Sequence, residues 1–250
     1  MSEDNYDYFK NWYLELARDD VRLSDERTQQ DVSFLEKVLN LSSDAKVLDL
    51  CCGHGRHLAL LAEKYDMTGL DWDESALKEA RLKAEEKGFS PRIMVGDMRD
   101  IPFHNEFDAV INMFTSFGYF NNNEENLKVL KEVNKSLKDN GLLLLDLRNK
   151  KETDNFLPRY WFKHKNLYIL MENSFNESLN QEEVEMIIID EKGNTQKTDF
   201  SVKLYSLNQI TEMLNEAGFS VEEKYGGTDG AEYSDASNKM IVLAKKVRDL

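Results

Sequence analysis

Two hydrophobic periods alternate along this chain. From Asp25 to Asn40, Val32, Leu35, Val38 and Leu39 share one face of a 3.6-residue repeat, and Ser24 stands in the N-cap position, which predicts a helix. Ala45 to Leu50 is a short, largely apolar run of the kind a buried parallel strand shows. It passes through Cys-Cys-Gly-His-Gly into a helical pattern over residues 56–65. Further strands are expected to end at Asp71 and Asp97 and to run from Phe107 to Phe114 and from Leu142 to Leu147. The intervening helices are expected at residues 74–87, before Gly88 as a C-cap, and around Leu127, Leu130, Val133 and Leu137, stopping at Gly141.

Strands alternating with helices of this length predict an α/β fold: a doubly wound, mostly parallel, seven-stranded Rossmann-like sheet. From Lys150 to Tyr205 the texture becomes strand-like, aromatic and β-branched, with a turn around Lys192, Gly193 and Asn194, as for an inserted antiparallel β lid. Helical periodicity returns after Ser206, which with Gln209 makes a capping box, and two final strands fit a hairpin at the sheet edge. The expected organisation is therefore a core of residues 1–149 and 206–250, opening with a helical segment over 1–43, and an inserted lid over 150–205.

Composition narrows the partners. The 250 residues are 41% hydrophobic, ample for a core, and the net charge of -15 disfavours nucleic acid and anionic lipid. No apolar run approaches the roughly 20 residues of a membrane helix. The acidic, aromatic N-terminus is unlike a signal peptide, so a cytoplasmic chain is expected, and a homodimer stays open. The two cysteines, Cys51 and Cys52, are neighbours, a poor geometry for a disulfide.

The chemistry gathers at strand ends. Gly53 and Gly55 sit where a strand turns into a helix, a place where backbone approaches a ligand and free N–H groups meet a carboxylate or phosphate. Asp71 ends the second strand, where a carboxylate accepts hydrogen bonds from ribose hydroxyls; Asp73 serves as N-cap and leaves Asp71 to the ligand. Trp72 offers a flat face to a purine, against plain packing on the following helix as the alternative. Asp97 suits an exocyclic amine, with Met98 packing on the ring. A dinucleotide loop would need a third glycine where Leu58 stands, and no Walker Gly-Lys-Ser/Thr is present. Cys51, Cys52, His54 and His57 lack the spacing of a zinc site.

Asp-Leu-Cys-Cys-Gly-His-Gly-Arg (49–56) with Asp71, Gly-Asp-Met-Arg-Asp (96–100) and Asn-Met-Phe-Thr-Ser-Phe-Gly-Tyr-Phe (112–120) resembles the class I S-adenosylmethionine-dependent methyltransferases. Within them it is most similar to a small-molecule branch that includes deoxysugar N-methyltransferases. The resemblance implies S-adenosylmethionine as cofactor, with Cys51, Gly53 and Gly55 under its methionine moiety. It also implies Asp71 on the ribose, Asp97 and Met98 on the adenine, backbone of Met113 near the methionine amino group, and Tyr13 closing over the cofactor. Cys51 departs from the Gly or Ala common at that position.

The expected activity is methyl transfer to nitrogen or oxygen of a small-molecule acceptor, bordered by residues 114–120 and roofed by Tyr160, Trp161, Phe162 and Tyr168. No catalytic residue is assigned; His104 and His164 qualify by type alone. A tRNA methyltransferase and a non-catalytic S-adenosylmethionine-binding protein are the alternatives.

Overall fold

Period-2 alternation in the apolar runs builds one sheet with a core on each face. The computed structural model describes residues 8–17, 20, 23–150 and 157–249. Strands β1 (Lys46–Leu50), β2 (Asp66–Asp71), β3 (Arg92–Val95), β4 (Phe107–Asn112) and β5 (Leu137–Arg148) run parallel, while β10 (Phe219–Tyr225) and β11 (Lys239–Lys246) form an antiparallel hairpin on β5. The strand order is β10-β11-β5-β4-β1-β2-β3. The chain reverses its direction of travel between β1 and β4, and in such sheets that crevice is where ligands bind.

The helices are α1 (π-helical over Phe9–Tyr13, then α-helical over Leu14–Ala17), α2 (Asp25–Leu39), α3 (Arg56–Leu61), α4 (Glu74–Glu86), α5 (Asn123–Ser136) and α6 (Leu207–Glu216). Leu48 and Leu50 face one core, shared with Leu130 and Val133 of α5 and Ile210 and Leu214 of α6. Val47, one position out of phase, faces the other, shared with Phe34 and Leu35 of α2 and Leu58 and Leu61 of α3. Side-chain caps set the helix starts: Ser24 accepts from Arg27, Asp73 from Ser75, and Ser206 and Gln209 close a reciprocal capping box. Among the described residues no helix is long and apolar enough to cross a membrane.

Several boundaries differ from the sequence expectation: β3 ends at Val95 rather than Asp97, α3 ends at Leu61 rather than at residue 65, and β5 spans Leu137–Arg148 rather than Leu142–Leu147. The helix expected to run to Gly141 stops at Ser136, and Leu137 already belongs to β5, pairing with Phe107. Leu137 continues the helical apolar spacing, but it is buried against the sheet, and Lys138 beside it binds Asp108 at 2.8 Å. Tertiary pairing overrides the local period. The fourth strand likewise ends at Asn112 rather than Phe114.

The aromatic stretch folds into a second, antiparallel sheet: β6 (Arg159–His164), β7 (Leu167–Asn176), β8 (Gln181–Ile189) and β9 (Thr195–Lys203), in sequence order. Residues 151–156, where the insert was expected to open, lie outside the described residues. Its inner face, Ile169, Met186 and Ile188, packs on Tyr8, Trp12 and Leu16 of the N-terminal segment.

Gly118, in the segment after β4, joins the two sheets: its carbonyl accepts from the Lys203 amide at 2.8 Å. A Cβ on Gly118 would lie 2.5 Å from the Lys203 carbonyl, and its φ is +106°. Gly118→Ala is therefore expected to push β9 off the core and lower stability by about 1–3 kcal/mol, the scale of overpacking. A urea midpoint equal to wild type would refute this account of the junction.

Candidate active site

The strand ends meet in a single cleft of about 1800 Å³. Its floor is the tips of β1 to β4, and its walls come from α1, the inner face of β6 to β9, and the β10–β11 connection. Cys51, with φ +63°, and Gly53, with φ +52°, border it in the left-handed region. A Cβ on Gly53 would meet nothing within 4 Å, so the glycine leaves a cradle open to the cleft. The Asp71 carboxylate, 7% exposed, accepts from the Gly53 amide at 2.8 Å and from the Asp73 amide at 3.0 Å. Asp71 is thus not wholly free, as Asp73 capping alone would have left it; it also shapes the glycine loop. Burial raises its pKa, and the two amides oppose that.

At the β3 tip, Asp97 accepts from the Arg99 backbone amide at 2.8 Å and from its guanidinium at 2.6–3.1 Å. Arg99 also binds Glu125 and lies 4.4 Å over the Phe120 ring. Although burial opposes it, these bonds keep the Asp97 carboxyl below the usual range, so it remains an acceptor. Met98 is buried beside it, with its Sδ 3.5 Å from Cys51 Sγ.

At the β4 tip, Phe114 and Thr115 both have positive φ, +58° and +56°. For a β-branched residue this is strained, and strain persists only where surroundings enforce it. Here Asp146 of β5 enforces it: its Oδ2 accepts from the Phe114 amide at 3.1 Å and its carbonyl from the Thr115 amide at 2.9 Å. Lys239 Nζ neutralises that carboxylate at 2.6 Å. Farther along, Tyr119, Arg148 and Glu182 line the cleft with Tyr160, Phe162 and Phe200. Glu182, 2% exposed, accepts from Arg148 Nη1 at 2.8 and 3.0 Å, joining the inserted sheet to β5.

Residues 47–141 match the family model described as a methyltransferase domain. The chain is 27% identical over 254 residues to a glycine/sarcosine N-methyltransferase of Aphanothece halophytica, covering 96% of this chain and 92% of that one. It is 35% identical over 82 residues to a dTDP-3-amino-3,4,6-trideoxy-alpha-D-glucopyranose N,N-dimethyltransferase of Streptomyces venezuelae, covering 32% and 33%. The crystal structure of an S-adenosylmethionine-dependent methyltransferase from Clostridium acetobutylicum superposes with a TM-score of 0.80 at 20% identity, over 97% of this chain and 99% of that one. This chain is an S-adenosylmethionine-dependent methyltransferase. S-adenosylmethionine is its cofactor, and the open cradle at Gly53 beside an ionisable Asp71 fits that group.

In this methyltransferase Tyr13, Cys51, Gly53, Asp71, Trp72, Asp97 and Met98 border one cleft. Gly55 and Met113 do not. Gly55 has φ +74°, and a Cβ there would lie 2.6 Å from Ala80 Cβ, so its lack of a side chain serves α3–α4 packing. The Met113 side chain is buried in the core, and its carbonyl accepts from Ser116 Oγ at 2.9 Å. Of the expected roof, Tyr160 and Phe162 face the cleft, whereas Trp161 and Tyr168 are 65% and 41% exposed. The pleat explains it: neighbours on a strand point to opposite sides. His164 lines the cleft with its Nε2 3.5 Å from Glu15; His104 does not line it. His57, for its part, bonds Asp31. Among the described residues no group of three His, Cys, Asp or Glu is placed to hold a metal ion. Burial raises both thiol pKa values, so neither cysteine is poised as a thiolate nucleophile.

Sequence reasoning missed Asp31, Arg148, Glu182, Phe200 and the β10–β11 connection from Gly226 to Lys239, all of which border the cleft. They carry no local motif. The one available signal was that a polar, glycine-containing connection at the end of an α/β sheet opens on the ligand edge.

Proposed function

We propose that this methyltransferase acts in the cytoplasm on a small-molecule acceptor, at nitrogen or oxygen, with nitrogen favoured. The observation that carries the proposal is Glu182, a buried carboxylate that is ion-paired with Arg148 and borders the cleft near Tyr119. Asp71 holds the ribose, Asp97, Met98 and Trp72 receive the adenine, Cys51 and Gly53 border the methionine moiety with the Met113 backbone behind them, and Tyr13 closes the site. The insert over 150–205 is the substrate lid. When bound, S-adenosylmethionine would supply an electrophilic methyl group on sulfonium sulfur, with a neutral thioether as the leaving group.

The chain's own part is to hold the acceptor near that carbon and exclude water. A nitrogen acceptor gains positive charge as the bond forms, and a carboxylate with aromatic faces lowers the energy of that charge. The names of the relatives above, N-methyltransferases of glycine/sarcosine and of an amino sugar, support a nitrogen acceptor.

Amines and their isosteric alcohols, assayed as matched pairs, test this reading. Turnover is expected with amines, and Glu182→Gln is expected to lower kcat/KM about tenfold or more, as for a lost charged contact of roughly 1.5–3 kcal/mol. Equal turnover of the alcohols, or an unchanged Glu182→Gln enzyme, would remove the basis for nitrogen. The net charge of -15 weighs against tRNA, and flow-through on heparin at low salt is expected; retention would favour it.

A further inference from the structure

Among the described residues, one oxygen of a buried carboxylate on α2 closes no hydrogen bond. Asp31 of α2 is 2% exposed and borders the cleft. Its Oδ2 accepts from Arg56 Nη1 at 3.0 Å and faces His57 Nε2 at 3.2 Å. Among the described residues its Oδ1 makes no hydrogen bond of normal geometry, and the Arg27 guanidinium stands 3.8 Å away in an ion pair. Thr228, in the β10–β11 connection, is also buried and borders the same stretch; its hydroxyl sits by Asp31 without closing a hydrogen bond of normal geometry. Buried polar atoms in native proteins nearly always have partners, so the pair marks a place where a ligand supplies them.

The chemistry of that ligand follows from the atoms that await it. Asp31 Oδ1 accepts, and although burial alone would raise its pKa, His57, the Thr228 hydroxyl and Arg56 hold the carboxyl far below the usual range, so it stays charged. Arg27, which also borders the cleft, donates and carries positive charge. A group bearing an ammonium and a carboxylate on one carbon satisfies both. The two side chains that hold Asp31 follow directly on Gly55, so this carboxylate is keyed to the glycine loop rather than to the inserted sheet.

We propose that Asp31 and Thr228 bind the α-amino-acid end of S-adenosylmethionine, Asp31 accepting from its ammonium while Arg27 and the Thr228 hydroxyl face its carboxylate. This rests on the cofactor assignment and adds two residues, from α2 and from the β10–β11 connection, that no motif identified.

Calorimetry with two probes tests it. S-adenosylhomocysteine carries the α-amino-acid end; 5′-methylthioadenosine keeps the adenosine and sulfur but lacks that end. Asp31→Asn is expected to weaken S-adenosylhomocysteine about tenfold or more, and Thr228→Val about threefold, on the scale of one charged and one neutral hydrogen bond. Binding of 5′-methylthioadenosine should stay within about twofold of wild type in both, which also shows that the variants are folded. Equal weakening of both probes, or unchanged S-adenosylhomocysteine binding, overturns the proposal. If Asp31→Asn does not fold, Thr228→Val decides alone. Failure of the wild type to bind either probe would instead overturn the cofactor site itself.

Discussion

Asp71→Ala is expected to weaken S-adenosylmethionine binding by about ten- to a hundredfold, since a lost charge-assisted hydrogen bond is worth roughly 1.5–3 kcal/mol. Two effects add. The variant removes the carboxylate proposed for the ribose hydroxyls, and it leaves the Gly53 and Asp73 amides, now bound at 2.8 and 3.0 Å, without their acceptor. Asp71→Asn separates them: its one amide oxygen can hold one of those amides, so the loop loses less while the charge is gone. Calorimetric titration of both variants should rank affinity as wild type, Asn, then Ala. An Ala variant that binds like wild type would mean the ribose lies elsewhere in the cleft.

Gly55→Val should be the most damaging single change to stability. A Cβ at residue 55 would stand 2.6 Å from Ala80 Cβ and 2.8 Å from Ala80 Cα, and backbone cannot rotate away as a flexible side-chain tip would. The left-handed φ of +74° adds a penalty of about 1–2 kcal/mol for an L side chain, and overpacking adds about 1–3 kcal/mol. The expected loss is about 2–5 kcal/mol, read as a fall in the urea midpoint. Gly53→Ala is the control, because its φ is +52° but its Cβ would point into open space. It should lose only the conformational share, about 1–2 kcal/mol. Equal midpoints for Gly55→Val and wild type would mean that α3 and α4 do not pack as described.

The contrast between these glycines shows how far residue types alone could lead. Both stand in one short loop, and both promise close approach of backbone to something. Only the fold says that the open side of Gly53 faces the cleft and that of Gly55 faces a helix. In the same way Tyr160 and Trp161 are equally aromatic neighbours, yet the pleat sends one inward and one outward.

Local rules did settle much. Short apolar runs separated by capped helices specified five parallel strands, because a strand buried on both faces must be apolar and a crossover must be helical. Ser24, Asp73 and the Ser206–Gln209 pair marked helix starts, since unsatisfied N–H groups take the nearest side-chain acceptor. Asp71 and Asp97 at strand ends were legible as candidates for the same reason: the direction of a parallel strand dictates which edge its last residue reaches.

What only the tertiary structure decided are the groups that meet from distant parts of the chain. Arg148 and Glu182, 34 residues apart, pair across two sheets; Asp31 and Thr228 meet from α2 and the β10–β11 connection; Leu137 leaves its helix to pair with Phe107. Periodicity and capping act over a few residues and are written in them. Contacts closed by packing depend on how whole layers settle against each other, and no short stretch of sequence carries that.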